Sequence, residues 1–249
     1  MWRSFLIAVR FLTRLPLPSS GAGTEHDIGR SLLFYPVVGL IIGVLLLAAG
    51  VLTSHVDPDL RAALVLAVWV TLTGALHLDG LADTIDAWVG GLGSRERTLA
   101  IMKDPCSGPA AVVALVLVLL IKFAALKELL TQDDAAVLLL APVIGRTAVL
   151  ALFLTTPYVR PGGIGAVLAG NLPRRATLVV VTSAVAVVAL LGGRVAIGSL
   201  SAAALLFIGL RAWMIRRIDG ITGDTAGALV ELTECAVLVA QAFMATAAR

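Results

Sequence analysis

The stretch SLLFYPVVGLIIGVLLLAAGVLTS, residues 31–54, contains no charged side chain. A helix needs about 20 mostly apolar residues to cross the hydrocarbon of a bilayer, so this stretch predicts a membrane span. Outward from it, further apolar stretches run at 60–78, 109–127, 135–156, 177–193, 195–213 and 226–247, which makes seven. Only Gly192, Gly193 and Arg194 separate 177–193 from 195–213, so that pair reads as two short spans with a tight turn or as one re-entrant pair. The whole chain of 249 residues agrees: 59% is hydrophobic, 14% is charged and the mean hydropathy is +1.00. A soluble domain is about 45–50% apolar and about 25% charged, so a soluble globular enzyme is excluded. Disorder, which needs low hydrophobicity and high net charge, is excluded too. Cys106 and Cys235 are the only cysteines and sit in or beside apolar sequence, which excludes a disulfide scaffold. A net charge of +3 is too mild to suggest nucleic acid. The expected architecture is all-α: a polytopic membrane helical bundle of about seven transmembrane helices, forming a single integral-membrane domain over 1–249. Residues 1–15, MWRSFLIAVRFLTRL, carry Arg3, Arg10 and Arg14 and no small-residue cleavage site follows them. They predict an amphipathic interfacial helix within 1–18, ended by Pro16 and Pro18.

Orientation is read from the basic residues. With seven spans, Arg3, Arg10, Arg14, Arg30, Arg95, Arg97, Lys103, Arg160, Arg174, Arg175, Arg211, Arg216 and Arg217 share one side, 13 of the 19. Arg61, Lys122, Lys127, Arg194 and Arg249 fall on the other, and Arg146 falls inside the fourth span. The excess marks the first side as cytoplasmic and predicts a protein of the bacterial cytoplasmic (inner) membrane with its N-terminus inside. The acids gather on the same side, 11 of 16, although Asp and Glu contribute little to topology.

Two acidic stripes account for many of them. His77-Leu-Asp-Gly-Leu-Ala-Asp-Thr-Ile-Asp86 continues from the second span, and Asp79, Asp83 and Asp86 at i, i+4, i+7 share one helical face. Three carboxylates stacked there repel one another and are costly to desolvate, which a divalent cation would relieve. Oxygen ligands suit Mg²⁺, Mn²⁺ or Ca²⁺, and Mg²⁺ leaves coordination positions for substrate phosphates. Gly80 bares one side of the helix, so a ligand or another helix can come close. His77 falls on the opposite face, as a packing residue or a substrate contact. The second stripe is Asp224, Gly227, Glu231 and Glu234 at the start of the last span, after the loop Asp219-Gly-Ile-Thr-Gly223. Thr222 or Asp224 suits the N-cap, where free N–H groups favour phosphate oxygens. A lone arginine in hydrocarbon is expensive, so Arg146 needs one of the two glutamates as a partner. On the same face, Lys103 and Arg160 with their glycine-rich loops suit phosphate or pyrophosphate. Gly39-x₃-Gly43 offers the close helix approach that would also suit a homo-oligomer.

The phrases Phe11-Leu-Thr-Arg-Leu-Pro16, Gly74-Ala-Leu-His-Leu-Asp-Gly-Leu-Ala-Asp-Thr-Ile-Asp86, Met102-Lys-Asp104 and Gly220-Ile-Thr-Gly-Asp-Thr-Ala-Gly-Ala228 together resemble the cobalamin synthase family, the adenosylcobinamide-GDP ribazoletransferases. The resemblance runs from the N-terminal helix to the last span and departs locally at Asp104-Pro105-Cys106 and Asp86-Ala87. It implies a Mg²⁺-dependent transferase of cobalamin biosynthesis. Adenosylcobinamide-GDP and α-ribazole, or α-ribazole 5′-phosphate, would give adenosylcobalamin, or its 5′-phosphate, and GMP. On that implication Asp79, Asp83, Asp86 and Asp224 are the expected metal ligands, and Asp86 or Asp83 the base for the ribazole hydroxyl. Lys103, Arg146 or Arg160 would steady the departing GMP. His77, Asp104, Arg160, Thr222, Gly223 and Glu231 complete the expected substrate contacts. Two other classes compete. A CDP-alcohol-type phosphotransferase would carry Arg after Ala82, where Asp83 stands. An ion-coupled transporter would carry acids at mid-span and an inverted repeat, and no repeat is visible.

Overall fold

The computed structural model describes residues 1–17, 23–132 and 136–247. Pro18, position 135, Arg249 and the side chain of Arg194, all used above, lie outside the described residues. Among those described, the fold is helical, with one isolated bridge between Tyr158 and Ile221. The order is α1 (Trp2–Leu12), α2 (Glu25–Ser31), a 3₁₀ turn (Leu32–Phe34), α3 (Tyr35–Leu52), α4 (Pro58–Thr73), α5 (Leu76–Gly90) and α6 (Arg95–Ile101). Then follow α7 (Pro109–Thr131), α8 (Ala136–Thr155), α9 (Gly163–Gly170), α10 (Arg174–Leu191), α11 (Gly193–Ile218) and α12 (Gly223–Ala247). Six helical stretches are long and apolar enough to cross a membrane: 25–52, α7, α8, α10, 195–218 and α12. The bent pair α4–α5, taken together as one broken span, would make a seventh. The protein is an integral membrane protein of the polytopic helical class, and α10 and the 195–218 part of α11 are each long and apolar enough to cross on their own, as two spans joined by a tight turn would require.

The second span differs from its prediction. It does not run on through 78 but stops at Thr73, and α5 leaves it at 85°. Gly74 and Ala75 both adopt left-handed backbone, φ +61 and +56. The Gly74 N–H donates to the Thr71 carbonyl and the Ala75 N–H to Val70, which is the way a glycine closes a helix C-terminus. Hydropathy does not register this stop, because the residues on both sides of it are apolar. The first helix also ends earlier than expected. Thr13 is extended and its hydroxyl donates to the Val9 carbonyl, so α1 closes before either proline is reached.

Packing follows from small residues and charges. A Cβ on Gly39 would sit 2.5 Å from the Pro142 carbonyl oxygen, and one on Gly43 2.7 Å from Leu139 Cα. The Gly39-x₃-Gly43 stripe is therefore spent within the chain, holding α3 on α8, and does not remain free for a second copy. At the centre lies α12, whose buried side packs on α5, α7, α8 and α11. It carries Glu231 and Glu234 inward. Lys122, assigned above to the far side of the membrane, is instead buried in the interior stretch of α7. Its Nζ donates to Glu231 Oε2 at 2.6 Å and to Glu234 Oε2 at 2.7 Å, and it lies 4.6 Å over the Trp69 ring of α4. Arg146 of α8 donates to the other Glu234 oxygen. These four side chains, each at most 5% exposed, form a neutral quartet of two cations and two anions.

Breaking a buried ion pair by removing one partner costs about 3–5 kcal/mol, because the other charge is left uncompensated. Lys122→Met should therefore lower the thermal midpoint sharply in detergent micelles. Adding Glu231→Gln, which restores neutrality, should recover part of it. A Lys122→Met protein that melts with the wild type would refute the quartet.

Candidate active site

The bend at Gly74–Ala75 turns α5 across the end of the bundle, and Gly80 decides how near it comes to α12. A Cβ on Gly80 would lie 2.8 Å from the Asp224 carbonyl oxygen, and one on Gly227 3.4 Å from both Gly80 Cα and His77 Cα. Two glycines facing each other let the backbones nearly touch. The close neighbour left open in the sequence is another helix. The crossing brings Asp79 and Asp83 of α5 against Asp224 in the first turn of α12. Asp83 is half-buried and feels the negative charges of Asp224, Asp79 and Asp86, with Arg160 opposing them. Asp79 is exposed at the rim.

Arg160 is placed by backbone pairing. The Val159 N–H donates to the Ile221 carbonyl and the Ile221 N–H to Pro157, both at 2.9 Å, so the loop after α8 is pinned to the loop before α12. Arg160 Nη2 then donates to Asp224 Oδ2 at 2.8 Å and to the Met102 carbonyl at 2.9 Å. Thr222 proves to be the N-cap of α12. Its Oγ1 accepts from the Thr225 N–H at 3.3 Å, and Thr225 Oγ1 accepts from the Thr222 N–H at 2.9 Å. Fully buried in this reciprocal pair, Thr222 shapes the turn, while Gly223 beside it is exposed. Tyr158, which sequence reasoning missed, sits between α9 and Gly223, and burial pushes its phenol above the ordinary range.

The remaining expected residues separate. Asp86 faces α7: its Oδ2 accepts from the Gly108 N–H and its Oδ1 from the Ala111 N–H at 3.0 Å. It supplies the cap that Gly108 has no side chain to provide. Lys103 and Asp104 are exposed on the loop between α6 and α7, where Asp104 Oδ1 accepts from the Cys106 N–H at 3.0 Å. Glu231 is held by Lys122, deep in the bundle and away from the rim acids. Arg146 has the glutamate partner that its depth demanded, Glu234. His77 is 5% exposed, with its Nδ1 3.4 Å from Arg146 Nη2.

Below the acids lies a cavity of about 200 Å³, with Asp79, Asp224 and Gly223 at its polar edge and His77 and Arg146 at its depth. Residues from α1, α3, α8 and α9 close its sides. The short helix α9 occupies the stretch that the sequence predicts as a glycine-rich loop. The Gly163-Ile-Gly-Ala-Val-Leu run hides it, since glycine is a weak helix former. Among the described residues no three acidic, histidine or cysteine side chains are gathered closely enough to hold a metal unaided.

Residues 4–242 match the family model described as cobalamin-5-phosphate synthase. An adenosylcobinamide-GDP ribazoletransferase of Pseudomonas aeruginosa (strain UCBPP-PA14) is 56% identical over 96% of this chain and 98% of its own. Proteins of the same description from Pseudomonas fluorescens (strain Pf0-1) and Stutzerimonas stutzeri (strain A1501) are each 56% identical, over 94% of this chain and 96% and 95% of theirs. No solved structure matches the chain at a significant level.

The position of Asp86 generates a prediction. Asp86→Ala should cost about 1 kcal/mol, the usual worth of a helix cap. It should also speed amide hydrogen exchange at Gly108 and Ala111. Unaltered exchange at those two amides would show that Asp86 does not hold the start of α7.

Proposed function

We infer the reaction from one premise: the chain belongs to the cobalamin-5-phosphate synthase family. It is a membrane-embedded transferase of cobalamin biosynthesis. It joins adenosylcobinamide-GDP to α-ribazole, or α-ribazole 5′-phosphate, and yields adenosylcobalamin, or its 5′-phosphate, and GMP. The observation that carries this reading is the cluster of Asp79, Asp83 and Asp224 with Arg160, of which Asp79 and Asp224 line the edge of a cavity. A ribazole hydroxyl attacks the phosphorus nearer cobinamide, a new P–O bond forms there, and the bond to the GMP oxygen breaks. Phosphoryl transfer of this kind is mostly positioning and charge neutralisation.

Of the two carboxylates expected to take the proton, Asp83 is the better placed. Both oxygens of Asp86 already accept from α7 backbone, whereas Asp83 stands half-buried beside Asp79, Asp224 and Arg160. Arg160, and Lys103 next to the Met102 carbonyl that Arg160 holds, would steady the departing GMP. Arg146, spent on Glu234 at the depth of the cavity, is set back from that role. Asp104 and Gly223 stay accessible to substrate, while Thr222 and Glu231 act through the frame they hold.

The donor set fits Mg²⁺: Asp79, Asp83 and Asp224 offer oxygen ligands only, and their mutual repulsion is incompletely offset by Arg160. Mg²⁺ usually takes one or two carboxylates and completes its shell with water and substrate phosphates, so a site short of three converging ligands suits it. Bound there, it would neutralise pyrophosphate charge. The arginine-rich loops share the end of the bundle that carries this mouth, which favours a cytoplasmic face in the inner membrane.

Protein purified in detergent should release GMP only when adenosylcobinamide-GDP, an α-ribazole species and Mg²⁺ are all present, and chelation should stop it reversibly. Asp83→Asn should lower the rate at least about 100-fold with the fold retained, the usual contribution of a general base. Full turnover in that variant, or after exhaustive chelation, would overturn the assignment.

A further inference from the structure

We propose that the cavity below the acids is the seat of the aromatic base of α-ribazole, with His77 as the hydrogen-bond donor to its free ring nitrogen. This rests on the transfer reaction inferred above and adds which half of which substrate goes where.

Size comes first. The cavity measures about 200 Å³. It falls below the roughly 300–1,000 Å³ of pockets that engulf drug-sized ligands. One bicyclic ring fits; a nucleoside diphosphate or a corrinoid does not. The walls come next. Phe11 of α1, Tyr35 of α3, Val149 and Phe153 of α8 and Leu168 of α9 face it with apolar and aromatic surface. Aromatic walls favour a flat ring through offset and edge contacts.

Polar groups then select among flat rings. Guanine carries several donors and acceptors, and each one buried without a partner costs affinity. A ribosylated benzimidazole carries one acceptor nitrogen and no ring N–H. The buried end of the cavity answers with donors, His77 and the unpartnered Nε of Arg146, while its carboxylates, Asp79 and Asp224, stand at the opening. A guanidinium can only donate, so the Arg146 Nη2 contact at 3.4 Å makes His77 Nδ1 the acceptor and puts the ring proton on Nε2. His77 is 5% exposed and lines the cavity, and its hydrogen-bond contact is made at Nδ1, which leaves Nε2 for a ligand. Glu234 fixes Arg146, and Arg146 in turn fixes the imidazole. A base seated on Nε2–H directs its ribose back toward Asp79 and Asp224 at the opening, beside Asp83. The nucleophilic hydroxyl then emerges among the carboxylates, and the donor nucleotide is left to the exposed side where Arg160 and Lys103 stand.

The test separates the two substrates. Val149→Phe, which fills the cavity, should raise KM for α-ribazole 5′-phosphate at least tenfold and leave KM for adenosylcobinamide-GDP within about twofold. The same variant should penalise the dimethylbenzimidazole riboside more than the unsubstituted benzimidazole riboside. His77→Phe, which keeps a ring and loses the donor, should weaken α-ribazole binding about tenfold; His77→Gln, which keeps an N–H, should restore part of it. Binding is read from the benzimidazole fluorescence without the second substrate, so it does not depend on turnover. A rise in KM for adenosylcobinamide-GDP instead, or an equal rise for both, would place the donor in the cavity and refute the proposal. Absence of GMP release by the wild type with every substrate pair would remove the underlying reaction, a different failure from an altered KM pattern.

Discussion

Hydrocarbon does not tolerate an unpaired charge, and in this protein that constraint is met once, by Lys122, Arg146, Glu231 and Glu234. Two cations and two anions on three helices can be neutral only if α7, α8 and α12 stand in one relative rotation and depth. The quartet therefore fixes rotational register where apolar packing between lipid-exposed helices would leave it loose. Such a cluster is weak evidence for net stability, since its desolvation penalty is large. Its use here is positional. Arg146 reaches His77 on α5, so the bent helix that carries Asp79 and Asp83 is indexed to the same centre.

The active end is built on that register by removing side chains rather than adding them. Gly80 brings two backbones together where a larger residue would hold them apart, and Gly227 faces it at ordinary van der Waals distance. Carboxylates that would repel to a distance are thereby held near one another by the helices beneath. Arg160 offsets part of the repulsion, and it arrives there through a two-residue backbone zipper with no side-chain requirement of its own.

Legibility in the sequence divides along the same line. Charge-free runs such as 31–54 report spans directly, because hydropathy is a local property. Arg146 is legible as a residue needing a glutamate, since an intramembrane arginine has few alternatives. Lys122 is not: a single lysine late in a long apolar run looks the same whether it snorkels to the interface or turns inward, and only α12 decides. The fall of Asp86 to a capping role is likewise invisible, because its partners Gly108 and Ala111 lie more than twenty residues away and contribute only backbone N–H. The stop at Gly74–Ala75 was written in the glycine but masked by the apolar residues around it. Asp79, Asp83 and Asp224 were legible as helix-face neighbours and helix start; that they meet was expected only from the family resemblance, since residues so far apart in the chain carry no spacing signal.

The basic residues on this face show why the carboxylates remain under-compensated. Several arginines that mark topology are already committed to helix ends, where carbonyls lack intrahelical partners. Arg95 donates to Ile218, Arg174 to Leu154, Arg211 to Thr155 and Arg217 to Trp88. Each ties one helix to the C-terminus of another and withdraws a cation from the site. Arg160 is the exception, divided between the Met102 carbonyl and Asp224. A face rich in arginine can thus carry a mouth that stays negative, because the positive charges are bound where the helix dipoles end. Anionic carboxylates and an anionic pyrophosphate could not approach each other across that mouth unaided. The proposed Mg²⁺ would stand between them, and the positive loops around the mouth are spent on holding the helices that present the acids.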